Sequence, residues 1–219
     1  MSAAPAPRPP TVSADPAPIT VGALLFDGFE LLDLFGPLEM FGLLEGRARL
    51  LMLAQAPGSV RSHQGPSCTA DAPLAGDHSL DVLLVPGGMG TRREMTNAPL
   101  LAELRRQAET ARFVASVCTG SILLASAGLL EGKRATSNKR VFKMVASRWA
   151  AVNWVAEARW VEDGKFFTSS GVSAGMDMAL GLIARLFDWE TSIEIANRAE
   201  YEWHQDKGWD PFARLNGLL

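Results

Sequence analysis

Arg112-Phe113-Val114-Ala115-Ser116-Val117-Cys118-Thr119-Gly120-Ser121-Ile122-Leu123-Leu124-Ala125 is the stretch on which the reading of this chain turns. An apolar run with β-branched residues stops at a cysteine, and a small-residue helical stretch follows at once. That order predicts a strand, a sharp turn and a helix, with a thiol at the apex. Hydrolases with a nucleophile elbow present their serine in the same way. The N–H groups and dipole of the following helix favour a thiolate. Cysteine is also a common small hydrophobe of protein cores. The place of Cys118 at a strand end, ahead of Thr119-Gly120-Ser121, favours the nucleophile. Cys68 lies in a polar segment without that setting and reads as ordinary.

Outward from the elbow, strands alternate with helices. Ile19–Phe26 and Leu80–Pro86 are nearly continuous apolar runs, as expected of strands buried on both faces. Ala48–Gln55 is a further strand, and Ser59–Pro73 reads as short strands and turns. After Asp27-Gly28, apolar residues recur at helical spacing through Leu31, Leu32, Phe35, Leu38, Met40 and Phe41. Pro37 inside this pattern predicts a kink or a late helix start. Further helices are expected over Thr91–Ala111, Lys139–Ala150, Ser173–Phe187 and Thr191–Trp203. Val152–Val161 and Lys165–Ser169 read as strands joined by a hairpin turn at Glu162-Asp163-Gly164. Asp210-Pro211-Phe212-Ala213 falls in an irregular tail. The alternation predicts an α/β fold, a mostly parallel sheet sandwiched by helices, with reactive groups beyond the carboxyl ends of the strands.

The 219 residues suit one domain, expected over residues 19–219. Residues 1–18, rich in Pro and Ala, lack the apolar core of a signal peptide and read as a disordered tail. A net charge of -3 gives no electrostatic footprint for nucleic acid. No apolar run reaches the roughly 18 residues of a membrane span. Two cysteines do not make a disulfide framework, which points to the cytoplasm. His63, His78 and His204 are scattered without metal-ligand spacing, so neither a metal nor a cofactor is expected.

Gly87-Gly88 ends a buried strand. It reads either as a tight turn or as backbone that approaches a ligand closely and offers N–H groups to an anion. Beside a cysteine elbow, the second reading makes an oxyanion hole with the Thr119 N–H. Glu30 and Asp33 open the first helix, where acids are favoured without any catalytic role. Asp33 differs because Leu31, Leu32, Leu34 and Phe35 surround it. A carboxyl in such surroundings is either paired or titrates high, and both states suit proton transfer beside a thiol.

Five segments together resemble the ThiJ/PfpI superfamily, from about Ile19 to Phe212. They are Phe26–Phe41, Val85-Pro86-Gly87-Gly88, Ala115–Ser121, Gly132-Lys133-Arg134-Ala135-Thr136 and Thr168–Asp177. The resemblance implies a flavodoxin-like fold similar to class I glutamine amidotransferases, and a homodimer. Cys118 matches the elbow cysteine, and Gly88 falls at the backbone oxyanion position. Asp33 stands where most members place a glutamate that hydrogen-bonds the thiol. Asp33 within Leu32-Asp33-Leu34-Phe35-Gly36-Pro37, and Thr119 after the cysteine, look like the isonitrile hydratase branch. Many relatives have Thr-Thr-His-Trp where this chain has Thr136-Ser137-Asn138-Lys139; Asn138 is no base but can bind substrate, as Gly87 can. The pattern also occurs in AraC-type regulators, which append a helix-turn-helix domain. None follows before residue 219, so that reading loses its main support, and the resemblance implies an enzyme acting on a small molecule.

Cys118, Asp33, Thr119 and Gly88 are thus the expected catalytic groups, with Gly87 and Asn138 binding substrate. Hydration of an isonitrile needs no leaving amine, so a carboxylate suffices for the proton work. Peptide hydrolysis needs a base such as histidine, and none is evident beside the thiol. Glyoxalase- or deglycase-like attack on reactive carbonyls would use the same groups. A redox sensor, with Cys118 oxidised beside a carboxyl, is the non-catalytic alternative. Trp149, Trp154, Trp160 and Phe167 are available for an apolar pocket, although aromatic residues more often fill cores.

Overall fold

The computed structural model describes residues 17–219. All but the last two residues of the expected disordered tail therefore lie outside the described residues. In chain order the elements are β1 (Ile19–Leu24), α1 (Leu31–Gly42), β2 (Ala48–Ala54), β3 (Gly58–Arg61), β4 (Ser67–Ala70), β5 (Ala72–Pro73) and β6 (Val82–Val85). Next come α2 (Thr91–Glu94), α3 (Ala98–Thr110), β7 (Phe113–Val117), α4 (Gly120–Ser126), β8 (Arg134–Ala135) and α5 (Phe142–Arg148). The chain closes with β9 (Asn153–Trp154), β10 (Trp160–Asp163), β11 (Phe166–Ser169), α6 (Ala174–Leu186), α7 (Trp189–Arg198) and α8 (Pro211–Leu215).

The main sheet runs β10-β11-β7-β6-β1-β2-β5. Every pairing is parallel except the β10–β11 hairpin at the edge. Renumbered by sequence, the five strands β2, β1, β6, β7 and β11 lie in the order second, first, third, fourth, fifth, which is the flavodoxin-like order. β6 and β7 are buried along their whole length, as their unbroken apolar sequence predicts. α1, α6 and α7 pack together on one side of the sheet. α2 and α3 each pack against α4, which lies on β6 and β7. Gly175 and Gly181 permit the close seat of α6, since a Cβ there would come within 2.8 Å of Val117 and 2.5 Å of Trp160.

Several boundaries differ from the sequence expectation, each for a local reason. α1 starts at Leu31 and runs through Pro37, so no late start occurs. The helix expected over Thr91–Ala111 is two helices. Asn97 caps the second, its side chain accepting the Leu100 N–H, and Pro99 occupies the first turn. The expected strand over Val152–Val161 is interrupted because Val155 bonds sideways, its N–H to Ala135 O and its carbonyl to Thr136 Oγ1. The helix expected over Lys139–Ala150 begins at Phe142. Lys139 is spent on buried contacts to Thr136 and Ala158. α7 ends at Arg198, short of the expected Trp203. The expected irregular tail contains α8, capped by Asp210 with Pro211 in its first turn.

Candidate active site

β1, β6, β7 and β11 lead at their carboxyl ends to Asp33, Gly87-Gly88, Cys118 and Ser170-Gly171. The strand order reverses between β1 and β6, which opens the crevice beside Asp33 and Gly87. Cys118 has φ of 58°, in the left-handed region that non-glycine residues avoid. Its N–H donates to the carbonyls of Ser169 and Ser170 at 3.2 and 3.1 Å. Its own carbonyl accepts from Ser121 Oγ at 3.1 Å and Ser137 Oγ at 3.2 Å. Those buried hydroxyls also meet each other at 2.9 Å. The elbow is therefore clamped from both sides, which is how a strained backbone persists. Sequence reading passed over this hydroxyl pair; the only sign of it was small polar residues in two motifs that both approach the cysteine.

Asp33 sits in the first turn of α1 with no exposed surface. Its Oδ2 accepts the Gly87 N–H at 2.9 Å, and Oδ1 has no hydrogen-bond partner. Burial raises the carboxyl to about 7; the Gly87 N–H works against this, nearby Glu30 adds to it, and the Cys118 thiol lowers it. Burial, and then the Asp33 charge, push the Cys118 thiol up to about 12, against the pull of Asn138 and the Thr119 N–H. The thiolate favoured on sequence grounds is therefore corrected: the resting sulfur holds its proton at neutral pH. α4 has only seven residues, and its donors do not offset burial beside a carboxyl.

The structure brings all six expected site residues together. A Cβ on Gly87 would stand 2.6 Å from Thr119 N and Oγ1 and 2.7 Å from Asp33 Oδ2, so glycine alone fits there. Gly88, at φ 125°, donates its N–H to Thr119 Oγ1 at 3.0 Å. The donor expected at Gly88 is thus held by the Thr119 hydroxyl. Asn138 Nδ2 donates to Cys118 Sγ at 3.1 Å, and its Oδ1 accepts the Arg140 N–H at 2.9 Å. Asn138 therefore meets the sulfur itself, as a fixed donor that favours thiolate. Glu30 stays outside this cluster, bonded by Gln64. Among the described residues no histidine hydrogen-bonds the thiol, and no group of three or more metal-ligating side chains occurs.

A cavity of about 200 Å³ adjoins the site through Asn138 and Ser170; Arg140, Val172, Phe212 and Asn216 also line it, whereas Cys118 does not. The four aromatic residues available for a pocket do not line this one, in keeping with the commoner role of aromatics in cores. Trp160 and Phe167 stack at 6.1 Å in the core, and Trp149 and Trp154 pack at its edge. Phe212 of α8 supplies the aromatic wall instead.

Comparison with known proteins agrees with this fold. The model of the DJ-1/PfpI family matches residues 20–185. The chain belongs to the DJ-1/PfpI family. All five segments that carried the resemblance fall within the matched DJ-1/PfpI residues. Isonitrile hydratase from Pseudomonas putida is 36% identical over 187 residues, covering 84% of this chain and 78% of that protein. The HTH-type transcriptional regulator GbdR from Pseudomonas aeruginosa is 33% identical over 190 residues, 84% of this chain. This chain spans only 51% of that regulator's length. A crystal structure of a ThiJ/PfpI family protein from Pseudomonas syringae superposes with a TM-score of 0.78 at 33% identity, covering 84% of this chain and 76% of that one. DJ-1/PfpI relatives thus include both an enzyme and a transcriptional regulator. Among the described residues no helix is long and apolar enough to cross a membrane.

Proposed function

We propose that this chain is an enzyme, a lyase that hydrates isonitriles to N-substituted formamides. The observation that carries the reading is the buried Asp33–Cys118 pair, with a carboxyl titrating near 7 and no histidine bonded to the thiol. The similarity to isonitrile hydratase supports it. In the first step Sγ bonds to the terminal isocyano carbon. Asp33 Oδ1 accepts the thiol proton and passes it to that carbon, giving a thioimidate in which carbon is joined to hydrogen, sulfur and a doubly bonded nitrogen. Oδ2 stays with the Gly87 N–H, so Oδ1 is the oxygen free to carry the proton. Asn138 Nδ2 and the Thr119 N–H stabilise the sulfur as its negative charge grows.

Water then adds to the thioimidate carbon: its hydroxyl stays on carbon and its proton goes to nitrogen. The C–S bond breaks, the hydroxyl proton returns to sulfur through Asp33, and the formamide leaves. No amine is expelled at any stage, so the chemistry needs no histidine to shuttle a proton to a leaving amine. Peptide cleavage would need such a base, and no histidine hydrogen-bonds the thiol among the described residues. We place the enzyme in the cytoplasm and read it as a homodimer; the apolar Leu32 and Phe35 exposed on α1 support the homodimer.

Incubation of the reduced protein with an aryl isonitrile tests the reaction by formamide appearance. Turnover in the wild type, lost in both Cys118→Ala and Asp33→Ala, is the expected result. Absence of turnover in protein with a verified free thiol sinks the hydratase. Methylglyoxal consumption by the same protein would then favour attack on reactive carbonyls, and peroxide oxidation of Cys118 without turnover would favour a sensor.

A further inference from the structure

The cavity that adjoins the Cys118 site through Asn138 and Ser170 has an uneven charge. Two of its lining residues touch the nucleophile, Asn138 at the sulfur and Ser170 at the Cys118 N–H. Arg140, two residues after Asn138, also lines it. Among the described residues the Arg140 guanidinium has no ion-pair partner, and no carboxylate lines the cavity. Lys139 lines it too, but its ammonium is turned to Thr136 Oγ1 at 2.7 Å and Ala158 O at 2.6 Å. Lys139 and Arg159 are balanced by the buried carboxylates of Asp177 and Asp210. The net positive charge facing the cavity therefore comes from Arg140. Phe212 and Val172 give apolar wall, and Asn216 adds an amide.

Resting on the reading of Cys118 as the attacking group, we infer that the substrate carries a carboxylate, bound by Arg140 while the isocyano carbon meets Cys118. Guanidinium and carboxylate match as a fork to two oxygens, which sets orientation as well as affinity. The cavity suits a small body such as an amino-acid skeleton, and the product is then an N-formyl amino acid. Arg140 is exposed, so the contact is partly screened and the preference weakens with added salt.

Two measurements on Arg140→Gln and Arg140→Lys test this. The first compares turnover of isocyanoacetate with that of its methyl ester. Wild type favours the carboxylate about tenfold in kcat/KM, Gln abolishes the preference and Lys keeps part of it. The second needs no turnover: in a Cys68→Ser background, alkylation of Cys118 by iodoacetate is compared with that by iodoacetamide, using peptide mass analysis. Both reagents meet the same Asp33, so the change between variants isolates Arg140. The iodoacetate-to-iodoacetamide ratio falls about tenfold in Arg140→Gln. Hydration of both isonitriles with no carboxylate preference overturns the anion site and leaves the hydratase standing. If neither isonitrile reacts, the hydratase fails, and an unchanged alkylation ratio overturns the anion site as well.

Discussion

Asp33 is asked to do opposite things by folding and by chemistry. In the fold it titrates near 7, against 3.8 for a free side chain. Between those values the native state holds a proton that the unfolded chain has released, so stability falls as pH rises through this window. Above it the loss is on the order of 4 kcal/mol. Asp33→Asn keeps an acceptor for Gly87 and has no charge to bury. Its melting temperature is expected to stay flat through the window where the wild type's declines, as calorimetry across pH would show. Activity runs the other way. The carboxylate must be ionised to take the thiol proton, so kcat/KM for an isonitrile climbs with pH and levels off above about 7. A falling profile would mean that Asp33 acts first as an acid. Asn138→Ala removes the donor at 3.1 Å from sulfur and should slow iodoacetamide alkylation of Cys118 about tenfold, one charge-assisted hydrogen bond being at stake.

At the scale of elements, what was legible followed from hydrophobic runs and what was hidden followed from single polar contacts. β1, β6, β7 and the elbow could be read because their apolar sequence has no alternative to burial on both faces. The break between α2 and α3 was hidden, because Asn97 stops one helix and caps the next inside a stretch that otherwise suits one continuous helix. Asn97→Ala should lower stability by about 1 kcal/mol in urea unfolding, with the site untouched. α8 was hidden for a related reason: it has five residues, too few for a periodic pattern, and its fixed point is Asp210. Cys118, Asp33, Thr119 and the glycines were legible from residue type at strand ends. The contact of Asn138 with the sulfur was not, since it depends on where the segment after β8 returns to the sheet. The protonation of the thiol was hidden as well, because burial depth is a property of the whole fold and outweighed the local helix.

Across the molecule, a buried ionic network fastens the C-terminal segment to the wall of the cavity. Arg159 meets Asp177 at 2.7 Å and Asp210 at 3.9 Å. Asp177 also accepts from Tyr201 Oη and from the His204 N–H, each at 2.9 Å. Lys139, held down toward about 8 by burial, lies in the same field. The network spans the approach to β10, helix α6, the chain after α7 and the cap of α8, so it sets where Phe212 stands. Arg159→Ala removes the direct partner of Asp177 and leaves Lys139 as the remaining cation near the two buried carboxylates. A loss of about 3–5 kcal/mol in denaturant unfolding is expected. A loss below 1 kcal/mol would show that water reaches the cluster. Arg159→Met, which keeps the volume but not the charge, should be nearly as damaging, because Asp177 again loses its direct partner.

The left-handed backbone at Cys118 also has a meaning for how such a protein changes over generations. Glycine is the residue most at ease there, and every cysteine codon lies a single base from a glycine codon. Drift that discarded the thiol at this position would be rewarded by relief of about 1–3 kcal/mol of strain. A lineage that merely needed the fold would have an easy downhill exit. The cysteine stands on a slope that only continued use of its sulfur would keep it from descending.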